Sequence, residues 1–290
     1  MAWFDGFEER DLAVARGTIR ARVGGAGPPL LLLHGYPQTH LMWRDAAPIL
    51  AETFTVVAAD LPGYGASLRP ATAADHAPYS KRAMAADLVE AMAALGHETF
   101  AVAGHDRGGR VGYRMALDHP QRVRRLAVLD IVPTVEVWDR MDAAAALGYW
   151  HWPFLAQAEP LPEALILGAP GAFFDAGGAL GLAGPEAVMA VWRAAFDDPV
   201  AVHAFCEDYR AGASIDREHD RADRDARRRV GVPLLALWGD RGKLGGWYDV
   251  LAIWRDWADD VSGRAVDASH FLVEDRPAEV ARELAAFFAA

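Results

Sequence analysis

Cysteine, lysine and long apolar segments are scarce in this chain. Its one cysteine, Cys206, excludes an internal disulfide and favours a reducing compartment. No apolar run approaches the roughly 20 residues that a membrane-spanning helix needs, and the first residues lack the basic and apolar pattern of a secretion signal. The sequence therefore predicts a cytoplasmic protein that has no membrane partner.

Positive charge is also limited. Lys81 and Lys243 are the two lysines, and the formal net charge is -11. This charge argues against nucleic acid as a partner and would repel a small acidic substrate at long range. An acidic substrate would therefore need arginines placed beside its site. The 290 residues, 52% of them hydrophobic, suffice for one large α/β domain with an insertion.

Short apolar segments alternate with helical patterns along much of the chain. Helical periodicity is clearest over Ser80 to Leu95 and Pro277 to Phe288. The alternation predicts a mostly parallel sheet with helices on both faces. The segments that we predict as strands are Gly17 to Val23, Pro29 to Leu33, Phe54 to Ala59, Phe100 to Ala103, Leu126 to Leu129, Leu234 to Leu237 and Arg264 to Val266.

Strand patterns disappear between Pro133 and about Asp220. A helical insertion at this point would lie over the carboxyl ends of the strands, where α/β sheets bind ligands. We therefore divide the chain into a first core segment (1–133), a helical cap (134–220) and a second core segment (221–290). The helices predicted in the cap are Val135 to Leu147, Pro160 to Leu167, Pro185 to Ala195 and Pro199 to Ala211.

Asp106 is the strongest candidate for a reactive residue. It follows the apolar segment Phe100 to Ala103, has Gly104 and Gly108 two residues away on either side, and precedes a helical pattern. Such glycines permit a sharp turn that lifts the side chain off the edge of the sheet. The backbone N–H groups that open the next helix favour an ionised carboxylate there. The alternative is that Asp106 merely caps this helix.

Four motifs in a fixed order suggest a known family. They are HGYP at 34–37, DLPGYG at 60–65, GHDRGG at 104–109 and a late Ser269-His270 pair. In this order they resemble the α/β-hydrolase family over nearly the whole chain. The resemblance implies an α/β-hydrolase fold, with a mostly parallel eight-stranded sheet and an inserted helical cap.

An aspartate at the nucleophile position narrows the resemblance to haloalkane dehalogenases, epoxide hydrolases and haloacetate dehalogenases. HGYPQTHLMW at 34–43, the two arginines of DRGGR and the pair His151-Trp152 look most like the fluoroacetate (haloacetate) dehalogenases. The resemblance implies a small anionic halo acid as substrate and neither a cofactor nor a metal. Because relatives dimerise through their caps, it also allows a homodimer.

The resemblance assigns the catalytic roles. Asp106 would attack the carbon that carries the halogen, and His270 would activate the water that hydrolyses the resulting ester. Asp130, in LDIVPT after the strand Leu126 to Leu129, resembles the acid that orients this histidine. Asp240, in LWGDRG after the next strand, is the alternative acid. We favour Asp130.

Two groups of residues would stabilise negative charge on the substrate. The backbone N–H groups of Tyr36 and Arg107 are placed to hold the oxyanion that forms during ester hydrolysis. Arg107 and Arg110 are three residues apart on a helix and share a face, so both guanidinium groups could bind a substrate carboxylate. The alternative is an ion pair between Arg110 and Asp106, or a solvated helix face.

The halide would need hydrogen-bond donors as it leaves. The resemblance places His151, Trp152 and Tyr209 around it. Tyr149 is an alternative to Tyr209, and a Trp-His pair in a cap otherwise serves packing. An epoxide hydrolase is the closest competing enzyme, because Tyr149 and Tyr209 could protonate an epoxide oxygen, although the two arginines would then be idle. A ligand-binding protein without activity is the alternative of another class.

Overall fold

An eight-stranded sheet forms the centre of the computed structural model, which describes residues 3–175 and 181–290. The strands are β1 (Glu8–Val14), β2 (Gly17–Gly24), β3 (Pro29–Leu33), β4 (Thr55–Ala59), β5 (Phe100–His105), β6 (Val123–Leu129), β7 (Leu234–Gly239) and β8 (Val261–Val266). Their order is β1-β2-β4-β3-β5-β6-β7-β8. β2 runs antiparallel to β1 and β4, and the neighbours from β4 to β8 are parallel. The predicted fold class is confirmed.

Helices connect the strands and cover the sheet. α1 packs on α15, and α2 packs on α3. In the described residues the helices are α1 (Ala47–Leu50), α2 (Lys81–Ala94), α3 (Arg107–Asp118), α4 (Thr134–Asp139), α5 (Ala143–Gly148), α6 (His151–Leu155), α7 (Leu161–Gly168), α8 (Pro170–Phe173), α9 (Glu186–Ala194), α10 (Pro199–Ala213), α11 (Ile215–Asp225), α12 (Leu244–Trp247), α13 (Val250–Trp257), α14 (Leu272–Asp275) and α15 (Pro277–Ala289).

The register of the central strands brings the predicted site residues to one edge. β3, most of β5 and the second half of β6, Leu126 to Leu129, are apolar and buried, as expected for strands covered on both faces. Leu33 on β3 lies opposite Gly104 on β5, and His105 lies opposite Leu129 on β6. Because these strands are parallel, the loops that follow them leave at the same edge.

Two features differ from the sequence predictions. β1 was not predicted, because its sequence EERDLAV is charged and largely exposed and so lacks the apolar pattern of the central strands. The helix predicted from Val135 to Leu147 is two helices, α4 and α5. The Asp142 carboxylate accepts a hydrogen bond from the Ala145 N–H at 2.8 Å and starts α5 afresh.

The helices of the predicted cap lie between β6 and β7 in the chain. Helices α4 to α10 occupy this insertion, and α11 leads back towards β7. The boundary proposed after residue 220 falls inside α11, and residues 176–180 of the predicted cap lie outside the described residues. Among residues 3–175 and 181–290, no helix combines the length and apolar character needed to cross a bilayer.

Candidate active site

Asp106 lies in a sharp turn between β5 and α3. Its backbone has φ 45° and ψ -115°, which is unusual for a residue that carries a side chain. A Cβ on Gly104 would lie 2.4 Å from the Gly108 carbonyl oxygen, and a Cβ on Gly108 would lie 2.5 Å from the His34 carbonyl oxygen. Only glycine fits at these two positions, so the predicted reason for the glycines agrees with the packing.

The Asp106 carboxylate is buried beside hydrogen-bond donors and positive charge. Its Oδ2 accepts a hydrogen bond from the Tyr36 backbone N–H at 3.1 Å. Burial would raise the pKa of Asp106, but the charges of His270 and Arg110 outweigh burial and lower this pKa. The carboxylate is therefore ionised at neutral pH and available to attack an electrophile.

His270 and Asp130 form a hydrogen-bonded pair next to Asp106. The distance from His270 Nδ1 to Asp130 Oδ2 is 2.5 Å, and the second Asp130 oxygen accepts a hydrogen bond from the Gly239 N–H at 2.9 Å. Burial would lower the pKa of His270, but the charge and hydrogen bond of Asp130 outweigh it and raise this pKa. The alternative acid Asp240 is exposed, whereas Asp130 contacts the imidazole.

His105 supports the loop that carries His270, a role that we did not predict. Its Nε2–H donates a hydrogen bond to the His270 carbonyl oxygen at 2.8 Å. Burial lowers the pKa of His105 to about 4, so the ring is neutral. The signal in the sequence was a histidine at the buried end of β5, immediately before Asp106.

The Arg107 guanidinium binds a cap residue. Its Nε donates to Asp208 Oδ2 at 2.9 Å and its Nη2 to Asp208 Oδ1 at 2.7 Å. Asp208 also accepts hydrogen bonds from Lys81 and from the Tyr64 hydroxyl. Burial would raise the pKa of Asp208, but the charges of Arg107 and Lys81 hold it well below its usual range. The charge of Arg107 is thus compensated, while its buried Nη1 has no partner among the described residues.

Asp208 is a second residue that we did not predict. It precedes Tyr209 on α10, in the sequence CEDYRAG, and its carboxylate is fully buried. The sequence around a single acidic residue does not show that it pairs with an arginine 101 positions away, so this contact could not be predicted. The pairing nevertheless fixes Tyr209, because the Arg107 Cζ lies 4.2 Å from the Tyr209 ring centre.

Arg110 has different partners. Its Nη1 donates to the Val132 carbonyl oxygen at 2.9 Å and to Thr134 Oγ1 at 3.3 Å, and both acceptors are neutral. The guanidinium lies over the Trp152 ring, 4.5 Å from its centre. The Arg110 Nε is buried and has no partner within the described part of the chain. Arg110 therefore supplies positive charge that these acceptors do not neutralise.

The predicted halide-binding residues form an aromatic cluster on the cap. The His151 ring centre lies 5.8 Å from that of Tyr209, which is 6.0 Å from that of Trp152. Burial lowers the pKa of His151 to about 3 and raises that of Tyr209 well above its usual value, so both groups are neutral. The His151 Nδ1 and the Tyr209 hydroxyl are buried without a partner among the described residues. Tyr149 stacks on the other side of this cluster, 5.8 Å from Trp152.

Asp106, His270 and Arg110, together with part of the aromatic cluster, line a cavity of about 190 Å³. Ligand pockets for drug-sized molecules measure about 300–1,000 Å³, and a cavity of about 150 Å³ holds benzene, so this cavity suits a molecule smaller than a typical drug. Its lining includes Arg110 but, of the described residues, neither Arg107 nor Tyr209. The lining residues are Tyr36, Asp106, Arg110, Asp130, Gly148, Tyr149, His151, Trp152, Arg241, Gly242, Lys243, Ser269, His270 and Phe271.

The described residues provide no set of metal ligands. Within residues 3–175 and 181–290, no group of three or more His, Cys, Asp or Glu side chains is arranged to hold a metal ion. The arrangement provides an ionised carboxylate, an imidazole oriented by an acid, a buried cation and neutral donors within one small space.

Comparisons with known proteins agree with this architecture. A family model of the alpha/beta hydrolase fold matches residues 28–277. A fluoroacetate dehalogenase from Burkholderia sp is 45% identical, over 98% of this chain and 94% of the relative. A soluble epoxide hydrolase from Corynebacterium sp. (strain C12) is 33% identical, over 91% of both chains. The crystal structure of a protein from Nostoc sp PCC 7120, described as an alpha/beta hydrolase, superposes with a TM-score of 0.93 at 46% identity, over 98% of this chain and 99% of the other.

Proposed function

Since the chain belongs to the α/β-hydrolase family and is a hydrolase acting on carbon-halogen bonds, we propose that it is a haloacetate dehalogenase. It would convert fluoroacetate or chloroacetate and water into glycolate, halide and a proton. The observation that carries the proposal is the placement of Arg110, a buried cation with neutral hydrogen-bond partners, beside the ionised Asp106 in a cavity of about 190 Å³.

In the first step, an Asp106 carboxylate oxygen attacks the carbon that bears the halogen. A carbon-oxygen bond forms while the carbon-halogen bond breaks, and the halide leaves with the bonding electron pair. The product is an ester between Asp106 and the carboxymethyl group of the substrate. The lowered pKa of Asp106 supports this step, because the nucleophile must be ionised.

In the second step, His270 takes a proton from water, and the resulting hydroxide attacks the carbonyl carbon of the Asp106 ester. Negative charge develops on the carboxyl oxygen, which the backbone N–H groups of Tyr36 and Arg107 would stabilise. The Tyr36 N–H supports this role, since it already donates to Asp106 Oδ2. Asp130 stabilises the His270 imidazolium. As the intermediate breaks down, the bond between the carboxyl carbon and the glycolate oxygen breaks and that oxygen takes the imidazolium proton. Asp106 then loses the remaining proton and becomes a carboxylate again.

The substrate carboxylate would bind to Arg110. A carboxylate supplies the acceptor that Arg110 Nε lacks, and bidentate pairing would orient the neighbouring carbon for attack. Arg107 would contribute less than the sequence suggested, because two of its three nitrogens already bind Asp208. Its Nη1 remains as a further donor.

The departing halide would be held by the cap. His151, Trp152 and Tyr209 would provide N–H and O–H donors, and the unpartnered His151 Nδ1 and Tyr209 hydroxyl support this assignment. Fluoride is a poor leaving group unless strong hydrogen bonds stabilise it. A site with several neutral donors suits such a small anion.

The second candidate function is epoxide hydrolysis. It is favoured by the resemblance to the Corynebacterium epoxide hydrolase and by Tyr149, whose side chain lines the cavity near Tyr209. An epoxide is neutral, however, and would leave the Arg110 Nε without an acceptor. The cavity volume also disfavours large epoxides.

Halide release from fluoroacetate, chloroacetate and neutral 1-chlorobutane, with styrene oxide hydrolysis measured in parallel, tests the proposal. We expect halide from the two acids and little from the neutral haloalkane. Turnover of styrene oxide without halide from either acid would contradict the proposal and favour the epoxide hydrolase. Mass spectrometry of the quenched protein should detect the carboxymethyl ester, and a protein that forms no covalent ester with any of these substrates would be a binding protein.

A further inference from the structure

A buried acid-amide pair lies next to the site and has no role in the proposed mechanism. The Gln38 Nε2 donates a hydrogen bond to Glu274 Oε1. The Gln38 side chain is fully buried, and the Glu274 side chain is 3% exposed. Arg44 Nη1 lies 3.8 Å from Glu274 Oε1, which is too long for a hydrogen bond.

The other oxygen of each side chain is unsatisfied. Gln38 Oε1 and Glu274 Oε2 are both buried and have no hydrogen-bond partner in the described part of the chain. A carboxylate has no proton to donate, so an ionised Glu274 would leave both oxygens unpaired at a cost in free energy. A neutral Glu274 carries an O–H that could donate to Gln38 Oε1, and this second hydrogen bond would give both unsatisfied oxygens a partner.

The pair joins the two loops that carry reacting groups. The Gln38 N–H donates to the Gly35 carbonyl oxygen at 2.9 Å, which closes the turn that contains Tyr36. The Glu274 N–H donates to the Phe271 carbonyl oxygen at 3.0 Å, directly after His270. A change in the pair is therefore transmitted to the oxyanion donor on one loop and to the imidazole on the other.

We propose that Glu274 is a positioning residue which, as a neutral acid, clamps the Tyr36 turn to the His270 loop, and that loss of its proton slows ester hydrolysis. The kinetic half of this inference rests on the proposed function, whereas the protonation of Glu274 does not.

The surrounding charges are compatible with a neutral acid. Arg44 is in contact with Asp45 at 3.2 Å, and Asp275 follows Glu274 on the same helix. His40, on the 3-10 helix that packs against α14, binds Asp60 instead. Burial raises the pKa of Glu274 to about 8 although the charge of Arg44 lowers it. The clamp is thus formed at neutral pH and opens under mildly alkaline conditions.

The variant Glu274→Gln tests the clamp. Its amide can both donate to and accept from Gln38, so it reproduces the two hydrogen bonds of the neutral acid but cannot lose a proton. We expect the kcat of the unmodified protein to fall about fivefold as pH rises through 8, the effect of one hydrogen bond. The kcat of Glu274→Gln should stay level over this range. Glu279→Gln, at a half-buried site on α15 where the carboxylate pairs with Arg264, is the control and should retain the alkaline fall.

Thermal unfolding gives a reading that does not depend on the substrate. Because folding raises the pKa of Glu274, its contribution to stability is fully present below the ordinary value of 4.5 and is lost as pH rises to about 8. As pH rises between these values, the melting temperature of Glu274→Gln should therefore increase relative to that of the unmodified protein. Infrared spectra of the unmodified protein should show a protonated carboxyl band that disappears near pH 8.

Each result separates the two proposals. If stability and the infrared band follow the prediction while no haloacetate is hydrolysed, the proposed function fails and the protonated pair stands. If haloacetates are hydrolysed with the same alkaline fall in Glu274→Gln, the positioning role is wrong. If the infrared band is absent at pH 6, the neutral acid itself is excluded.

Discussion

The core side and the cap side of the cavity are built differently. On the core side, Asp106 and Asp130 are charged, and each accepts a backbone N–H. On the cap side, His151 lines the cavity and Tyr209 packs against it, and both are neutral and have buried atoms without a partner among the described residues. The core thus holds Asp106 and Asp130 in place with its own hydrogen bonds, whereas the cap presents polar atoms that no described residue satisfies. Under the proposed function, the core carries out the chemistry and the cap recognises the leaving group.

The largest effect is expected from Asp106→Asn. An amide is a far poorer nucleophile than a carboxylate, so halide release should fall by a factor on the order of 10⁴ or more. Halide release from chloroacetate, with mass spectrometry to detect the ester, measures the loss. Asp240→Asn, which changes the exposed alternative acid, should leave the rate within about twofold of the unmodified protein. A similar loss in both variants would show that the core assignment is wrong.

His270→Asn should separate the two chemical steps. The first halide leaves without a base, so one equivalent should be released per enzyme molecule. Hydrolysis of the ester should then slow by about 10²–10⁴, because the general base is absent. Rapid-quench halide assays and the mass of the trapped enzyme test this prediction. Loss of the first halide as well would mean that His270 acts before the ester forms.

Substitution of the two arginines should affect different properties of the protein, KM for Arg110 and stability for Arg107. Arg110→Gln removes the cation with neutral partners and should raise the KM for chloroacetate about 10-fold to 100-fold, the effect of one or two charged hydrogen bonds. Arg107→Gln leaves the buried Asp208 short of a partner and should lower the free energy of unfolding by about 3–5 kcal/mol. Steady-state kinetics and urea denaturation of both variants distinguish these outcomes. If the two variants changed KM by the same factor and stability by the same amount, the two arginines would not have different roles.

On the cap side, Tyr209→Phe should slow fluoride release more than chloride release. Fluoride depends more strongly on hydrogen bonds as it leaves, so we expect a loss of about 10-fold to 100-fold for fluoroacetate and less for chloroacetate. Tyr79→Phe, which removes a hydroxyl bound to the Pro70 carbonyl oxygen outside the cavity, is the control. A uniform loss with both substrates would indicate that Tyr209 serves packing alone.

The smallest expected effect is a shift in the pH at which His270 loses its activity as a base in ester hydrolysis. His270 must be neutral to accept a proton, and Asp130 raises the pKa of His270 above its usual 6.5. The rate of ester hydrolysis should therefore fall as pH decreases, with a midpoint above 6.5. Asp130→Asn should move this midpoint to lower pH. Single-turnover measurements of glycolate formation across pH 5–8 would contradict the assignment if the midpoint lay below 6.5 in the unmodified protein.

Local patterns were sufficient for most of the core. Apolar segments located the buried strands, and glycines around Asp106 predicted the turn that the close contacts of Gly104 and Gly108 require. β1 could not be found in this way, because it is an exposed strand paired only on one side and its residues are charged. Cap helix boundaries were harder still, since the Asp142 cap that separates α4 from α5 lies within one continuous helical pattern.

By itself, the sequence determined the alternation of strands and helices, the turn at Asp106 and the candidates His270 and Asp130. These features follow from spacing and residue type within short segments. Only the tertiary structure decided that Arg107 is bound by Asp208 while Arg110 remains available, and that Gln38 meets Glu274. The physical reason is that a charge acts according to the partners around it in space, and these partners lie 101 and 236 positions away along the chain.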